Sequence, residues 1–367
     1  MSATPGNFVA IGRVYAPAFA ALALFGLEHA HVVDAEVGWV AALSGVLLLG
    51  SVFAAVHHAE VVALKVGEPF GSVLLALAVT VIEASLIVTA MISSSGATEN
   101  ALARDSVFAA VSIVLNGVVG LCLLIGGARY GEQAFRVEGT ASALSVLATL
   151  AVVTLVLPNF TLAKLGPQYS PTQLVFVSGL SLLLYFVFVF VQSVRHRAYF
   201  LPKETSDIGE DHTAPDAGAT ALSAIMLIVS LLAVVLLAET LAEPIERAIQ
   251  AARLPASFLG VVIAALVLLP ESVAAAKAAR ANQLQTSLNL AIGSALATIG
   301  LTIPVVAGVS LYLGRELTLG LDAEGTALLL LTLFVSSLTL ATGRATVLQG
   351  AVHLVIFGVF LLLAAVP

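Results

Sequence analysis

"AVTVIEASLIV", residues 78–88, places a carboxylate, Glu83, inside an otherwise uncharged stretch. From Phe70 to Ile92 no other side chain ionises, so Glu83 falls about midway along a run long enough to cross a bilayer. An acid at that depth costs about 2.5–3.5 kcal/mol on insertion scales and marks function by default. A spanning run must satisfy its own backbone hydrogen bonds, so it is a helix. The same eleven residues therefore set the fold class and name the first candidate site residue.

Composition agrees. Of 367 residues, 60% are hydrophobic and 10% charged, and the mean hydropathy is +1.08. An ordinary soluble domain is excluded, and an all-α polytopic membrane protein embedded in the lipid bilayer is expected. The net charge of −7 comes without a basic run of the kind that grips nucleic acid. The single cysteine, Cys122, lies in an apolar run, so neither a disulfide nor a thiolate metal cluster is available.

Apolar runs fall near 12–28, 36–57, 70–93, 105–128, 139–158, 171–194, 219–241, 256–275, 286–309, 323–341 and 346–366, about eleven helices. The first has the length of a signal-peptide core but lacks a small-residue cleavage site, and is read as a retained span. With the N-terminus in the cytoplasm, ten of the fifteen Lys and Arg face that side, which favours N-in and C-out. A polar segment at 195–218 contains Glu204, Asp207, Glu210, Asp211 and Asp216 and reads as a solvated cytoplasmic linker. It divides the chain into an extra first helix (12–28), an early set of five (36–194) and a late set of five (219–366).

The late set holds a second buried acid. In "GVVIAALVLLPESVAAA", residues 260–276, Glu271 follows Pro270, with Gly260 eleven residues before it; Gly71 precedes Glu83 by twelve. The next helix repeats a polar stripe in both sets: Asp105, Ser112 and Asn116 in one, Ser287, Ser294 and Thr298 in the other, at the same seven- and four-residue spacings. Five helices per set make the two repeats run with opposite topology, an arrangement that places transport sites near the midplane on broken helices. Pro270 is the expected break, because proline removes one helical hydrogen bond and frees a carbonyl; Thr80 is the corresponding, weaker candidate.

Hard cations take six to eight oxygen ligands. Glu83, Glu271, the Asn116 amide, the Ser112 and Ser294 hydroxyls and freed carbonyls are suited to supply them, with Thr80, Asn289, Gly293, Thr298 and Pro270 as secondary candidates. Burial favours the neutral carboxyl and a divalent cation favours the charged one, so protons and cation compete for the same oxygens. A carrier that crosses loaded with one or the other exchanges them, with no cofactor beyond the transported ions. Asp105, directly after Arg104, is expected to cap its helix, His353 to be a packed or hydrogen-bonded histidine, and "HHAE" at 57–60 lacks metalloprotease spacing. An enzyme is not expected, since no nucleophile–base or His-Glu-x-x-His motif occurs, nor a primary pump, since no Walker A loop does. A cation channel without proton coupling remains the alternative from a different class.

The stretches "GEPFGSVLLALAVTVIEASLIV" (67–88), "LVLPNF" (155–160), "VLLPESVAAAKAARANQLQTSLNLAIGSALATIGLTIP" (267–304) and "LQGAVHLVIFGVFLLL" (348–363) resemble ChaA-type bacterial calcium/proton antiporters of the cation/calcium exchanger superfamily. The resemblance runs from about Gly67 to the C-terminus. It implies an extra first helix, two inverted five-helix repeats, and one acidic residue from each repeat in the cation site, at Glu83 and Glu271. Ser112 and Asn116 match the Gly-Ser-x-x-x-Asn pattern of the first repeat, with Val111 in place of its glycine, and Gly293 and Ser294 match the second. Thr80-Val81-Ile82 and Leu269-Pro270 stand where better-known exchangers carry Gly-Asn before the acid. The resemblance implies the bacterial inner membrane and Ca²⁺/H⁺ exchange, with Na⁺/H⁺ or K⁺/H⁺ exchange known in the same branch.

Overall fold

The computed structural model describes residues 5–30, 32, 38–67, 70–93, 101–201 and 216–366; the acidic part of the linker, 202–215, lies outside them. Among the described residues, each expected apolar run coincides with a helix. The helices are α1 Pro5–His29 and α3 Phe70–Ser93, with α2 Gly38–Val66, α4 Leu102–Tyr130, α5 Val137–Phe160, α6 Pro171–Arg195, α7 Ala217–Ala251, α8 Phe258–Arg280, α9 Leu284–Leu313, α10 Ala323–Ala341 and α11 Val347–Ala365. The ten from α2 onward are long and apolar enough to span a membrane, and α1 adds a shorter apolar stretch, Val14–His29. α7 outruns its apolar core by two turns, continuing through Pro244 with a Glu243–Arg247 pair at 2.9 Å. That i,i+4 pair lies in a polar helical end that an apolarity count misses.

The helices form two compact units, and neither unit is one of the sequence halves. The first unit contains α1, α2, α3 and α7. Its interfaces are built on small residues, as lipid-embedded interfaces are, because close backbone approach replaces the hydrophobic drive. Gly50 of α2 meets Pro17 of α1, where a Cβ would stand 2.8 Å from the ring, and Gly71 of α3 meets the Ala63 carbonyl of α2. Ser44 and Ser51 of α2 and Ser230 of α7 are fully buried. A polar bond joins α1 to α7, from Thr240 Oγ1 to Glu28 Oε2 at 2.8 Å.

The second unit contains α4, α5, α6 and α8–α11, and paired features within it record the duplication. α4 and α9 both end on a glycine in the left-handed region, Gly131 at φ 77° and Gly314 at φ 64°, a conformation that a Cβ disfavours. α5 and α10 both begin Glu-Gly-Thr-Ala, at 138–141 and 324–327. α6 and α11 both begin with a reciprocal capping box, Ser170 with Gln173 and Thr346 with Gln349. The antiparallel strands β1 Gln133–Ala134 and β2 Arg344–Ala345 tie the start of α5 to the end of α10. At the other end of these two helices a bridge from Gln168 to Thr318 makes the reciprocal tie.

Glycine also sets the α4–α8 seam: a Cβ on Gly260 would lie 2.7 Å from the backbone of Asp105 and Ser106. Since backbone cannot swing aside, Gly260→Ala is expected to cost about 1–3 kcal/mol by overpacking and to lower the melting temperature in detergent. Gly179→Ala in α6, where a Cβ meets nothing within 4 Å, is the control; equal melting curves for the two variants would refute the seam.

Two expectations about local structure fail. α8 runs through Pro270 without interruption, because a single missing N–H is tolerated when the rest of the ladder and the packing hold. π-helical turns lie one helix later in each half, at Ile113–Val118 and Thr298–Thr302, and two more lie toward the ends of α5 and α6, at Val152–Val156 and Val191–Arg195. Asp105 does not cap α4, which begins at Leu102 with Ala101 as N-cap. Its carboxylate instead pairs with Arg104, Oδ1 to Nη2 at 2.7 Å.

Candidate cation-binding residues

In the first unit, Glu83 is 2% exposed, near the middle of α3. Ile82 and Ile87 around it are buried, and Thr80, one turn earlier and also buried, donates its hydroxyl hydrogen to the Ala76 carbonyl at 2.8 Å. That bond leaves the Thr80 oxygen lone pairs unspent, which suits an acceptor or ligand role.

The second unit holds the remaining candidates. Glu271 is half-buried on α8 beside the buried Pro270, and Ser272 returns its hydroxyl to the Leu268 carbonyl at 2.6 Å. Ser112 and Asn116 are buried on α4, Ser112 at the start of the π turn and Asn116 within it. On α9, Ser294 is half-buried and Thr298 fully buried, Thr298 opening the matching turn. A π turn inserts a residue into the helical ladder and recurs at functional sites. The Ser112 and Ser294 hydroxyls occupy equivalent places in the two halves, and both are buried without a hydrogen-bond partner. Ser106 and Ser336 share that property, so the matched placement, rather than the missing bond, distinguishes the pair.

Of two further candidates, one is committed to structure. Asn289 donates to the Phe200 carbonyl at 2.5 Å and accepts from Gln285 at 2.9 Å, while Gln285 takes the Arg136 amide at 2.6 Å. Its amide thus tethers α9 to the chain around Phe200. Gly293 answers no packing demand, since a Cβ there meets nothing within 4 Å.

Asn116 stands in a polar network that its sequence neighbourhood does not reveal. Its Nδ2 donates to Thr332 Oγ1 of α10 at 2.8 Å, and its Oδ1 lies 3.3 Å from His353 Nδ1 of α11. His353 Nε2 lies 3.1 Å from Thr339 Oγ1 of α10. All four residues are buried, and His353 is hydrogen-bonded as expected. The one hint in the sequence is a histidine inside an apolar run, a group that buries only with partners. A seam of glycines permits the approach of α4 to α11: a Cβ on Gly120 would strike His353, and one on Gly350 would strike Leu124.

Outside the spans, the Lys164 ammonium, 2.9 Å from Glu316, holds that exposed carboxyl below its ordinary value. Burial pushes the Tyr169 hydroxyl, which donates to the Val153 carbonyl at 2.6 Å, up to about 12. Both groups fix loops rather than face the candidate oxygens. Among the described residues no group of three or more His, Cys, Asp and Glu is placed to hold a metal ion.

Comparison with known proteins follows the same helices. The chain is 51% identical, over 92% of each sequence, to the Sinorhizobium fredii protein y4hA, which carries the name of an ionic transporter. It is 35% identical, over 86% of each sequence, to the sodium-potassium/proton antiporter ChaA of Escherichia coli. Its fold is that of the crystallised Ca²⁺/H⁺ antiporter protein YfkE, with a TM-score of 0.70 and 16% identity over 96% of this chain and 99% of that one. The profile of the family "Sodium/calcium exchanger protein" matches residues 37–194 and 222–366. This multi-pass membrane protein belongs to the sodium/calcium exchanger family, as a ChaA-type member of the cation/calcium exchanger superfamily.

Proposed function

We propose that the protein is a secondary active cation/proton antiporter that exports Ca²⁺ in exchange for protons across the cytoplasmic membrane, with its N-terminus inside and its C-terminus outside. The observation that carries this reading is the duplicated set of oxygen donors. Each half supplies one intramembrane glutamate, Glu83 or Glu271, followed by a helix with a buried hydroxyl at an equivalent place and a π turn beyond it. Two carboxylates match the charge of a divalent cation or of two protons, which makes the exchange electroneutral. Alternating access follows from competition: a site emptied of both would leave charged carboxylates in a low-dielectric interior, so the empty protein does not cross.

A second reading, exchange of Na⁺ or K⁺ for protons, is favoured by the name of the Escherichia coli relative. Inverted vesicles with a quenched pH dye distinguish the two when Ca²⁺, Na⁺ or K⁺ is added across a pH series. For Ca²⁺ the apparent KM is expected to rise as pH falls, by about tenfold per pH unit for each proton displaced, because the bound form must be deprotonated. A KM independent of pH, or Ca²⁺ flux without opposing proton movement, contradicts antiport and favours a channel.

A further inference from the structure

We propose that His353 is a positioning residue for cation binding: its ring, held by Thr339, fixes which end of the Asn116 amide is oxygen and so presents Oδ1 as a ligand. The inference rests on the antiport reading above and extends it to residues that touch no cation.

The argument starts from hydrogen-bond polarity. An amide has one accepting and one donating end, and a neutral imidazole likewise has one nitrogen of each kind. With Asn116 Nδ2 donating to Thr332, Oδ1 faces the ring, so Nδ1 must carry the hydrogen and Nε2 must accept from the Thr339 hydroxyl. Reversing any one bond reverses the rest: an Nε2–H ring would turn the Asn116 amide and put nitrogen where oxygen stood. The chain Thr339–His353–Asn116–Thr332 therefore has two self-consistent polarities. Oδ1 accepts one hydrogen bond and keeps one lone pair in either polarity, so the polarity decides where that oxygen stands: beside His353 in one, beside Thr332 in the other.

The fold does not require this network. Counting from the shared Glu-Gly-Thr-Ala starts of α5 and α10, Thr332 and Thr339 correspond to Val146 and Val153. Counting from the capping boxes of α6 and α11, His353 corresponds to Val177. Asn116 itself corresponds to Thr298. The duplicated half thus has three valines and a threonine at the positions where this half builds four polar residues into one chain. A polar network needed only to hold helices together would be needed twice; this one accompanies the amide alone.

The test compares transport kinetics in vesicles for His353→Leu, His353→Asn and Thr339→Val. Loss of a residue that orients a ligand costs about 10–100-fold in metal affinity. His353→Leu is expected to raise the cation KM about tenfold with little change in maximal rate. His353→Asn, whose Nδ2 can replace Nδ1 as donor, is expected to recover most of that loss. Thr339→Val never touches Asn116, yet should raise KM about threefold by releasing the ring, and should add nothing in the double variant with His353→Leu. Should His353→Leu fail to fold, the other two carry the test. Unchanged KM in Thr339→Val, or a loss of rate alone in any of the variants, overturns the positioning role while wild-type transport persists. Absence of cation-driven proton movement in the wild type overturns the antiport reading, and this inference with it.

Discussion

Glu83→Gln is expected to abolish cation-driven proton movement, and Glu271→Gln to do the same, in vesicles where the wild type is active. Glutamine keeps the shape of the side chain and one carbonyl oxygen, so it removes charge and proton without opening a cavity. Two unit charges 4 Å apart attract by about 4 kcal/mol at the effective dielectric of a protein. At about 1.4 kcal/mol per tenfold, that is roughly a thousandfold in affinity, and the charge on a divalent cation makes it a lower bound. The same substitution takes away a proton carrier, so reverse flux fails as well. Because Glu83 is buried at 2% exposure, the neutral amide should leave the detergent melting temperature equal or higher, which separates loss of transport from loss of fold. Proton-coupled flux retained in the Glu83→Gln, Glu271→Gln double variant would sink the mechanism.

The membrane architecture is legible in the sequence because the bilayer imposes it. A helix of about twenty apolar residues is the unit that satisfies its backbone in lipid, so each of the eleven apolar runs could be located without knowing what packs beside it. The two glutamates are legible for the converse reason: against an apolar background a single carboxylate stands out. Departures from regular helix are less legible. Pro270 advertises a break that α8 does not make, whereas the π turns at Ile113–Val118 and Thr298–Thr302 carry no proline. Their bonding register is chosen by neighbours far along the chain, such as Tyr185, whose ring a Cβ on Gly300 would strike.

Side-chain networks are the least legible, because their partners are distant in sequence. Asn116 and His353 are 237 positions apart, and nothing local to either names the other. Asn289 illustrates the opposite error. It shares a helix with the candidate stripe, which suggests a ligand, but its amide is occupied by Phe200 and Gln285. The repeated Glu-Gly-Thr-Ala starts and the repeated Ser/Thr-x-x-Gln capping boxes were present in the sequence all along. They align the halves residue by residue, where the glutamate motifs align them only to within one position.

Arg104→Leu is expected to be the most destabilising charge change in the second unit. Arg104 contacts Asp105 through Nη2 at 2.7 Å and Nε at 2.8 Å, and its Nη1 donates to the Gly320 carbonyl at 3.3 Å. The side chains are 19% and 12% exposed, and they line a cavity of about 140 Å³ together with Asp322 and Glu324. Removing one partner of a buried pair costs about 3–5 kcal/mol, because the other charge stays buried alone. Here the low end, about 3 kcal/mol, is expected, since the cavity has room for water to reach the orphaned carboxylate. Asp105→Asn should cost less, because Arg104 keeps the Gly320 carbonyl and its place in the cavity. The decisive comparison is the double variant Arg104→Leu, Asp105→Leu. Replacing both members by apolar groups removes the orphaned charge, so its melting temperature in detergent should exceed that of Arg104→Leu alone. A double variant as unstable as the sum of the two single leucine changes would mean that packing, and not the unpaired acid, sets the cost at this end of α4.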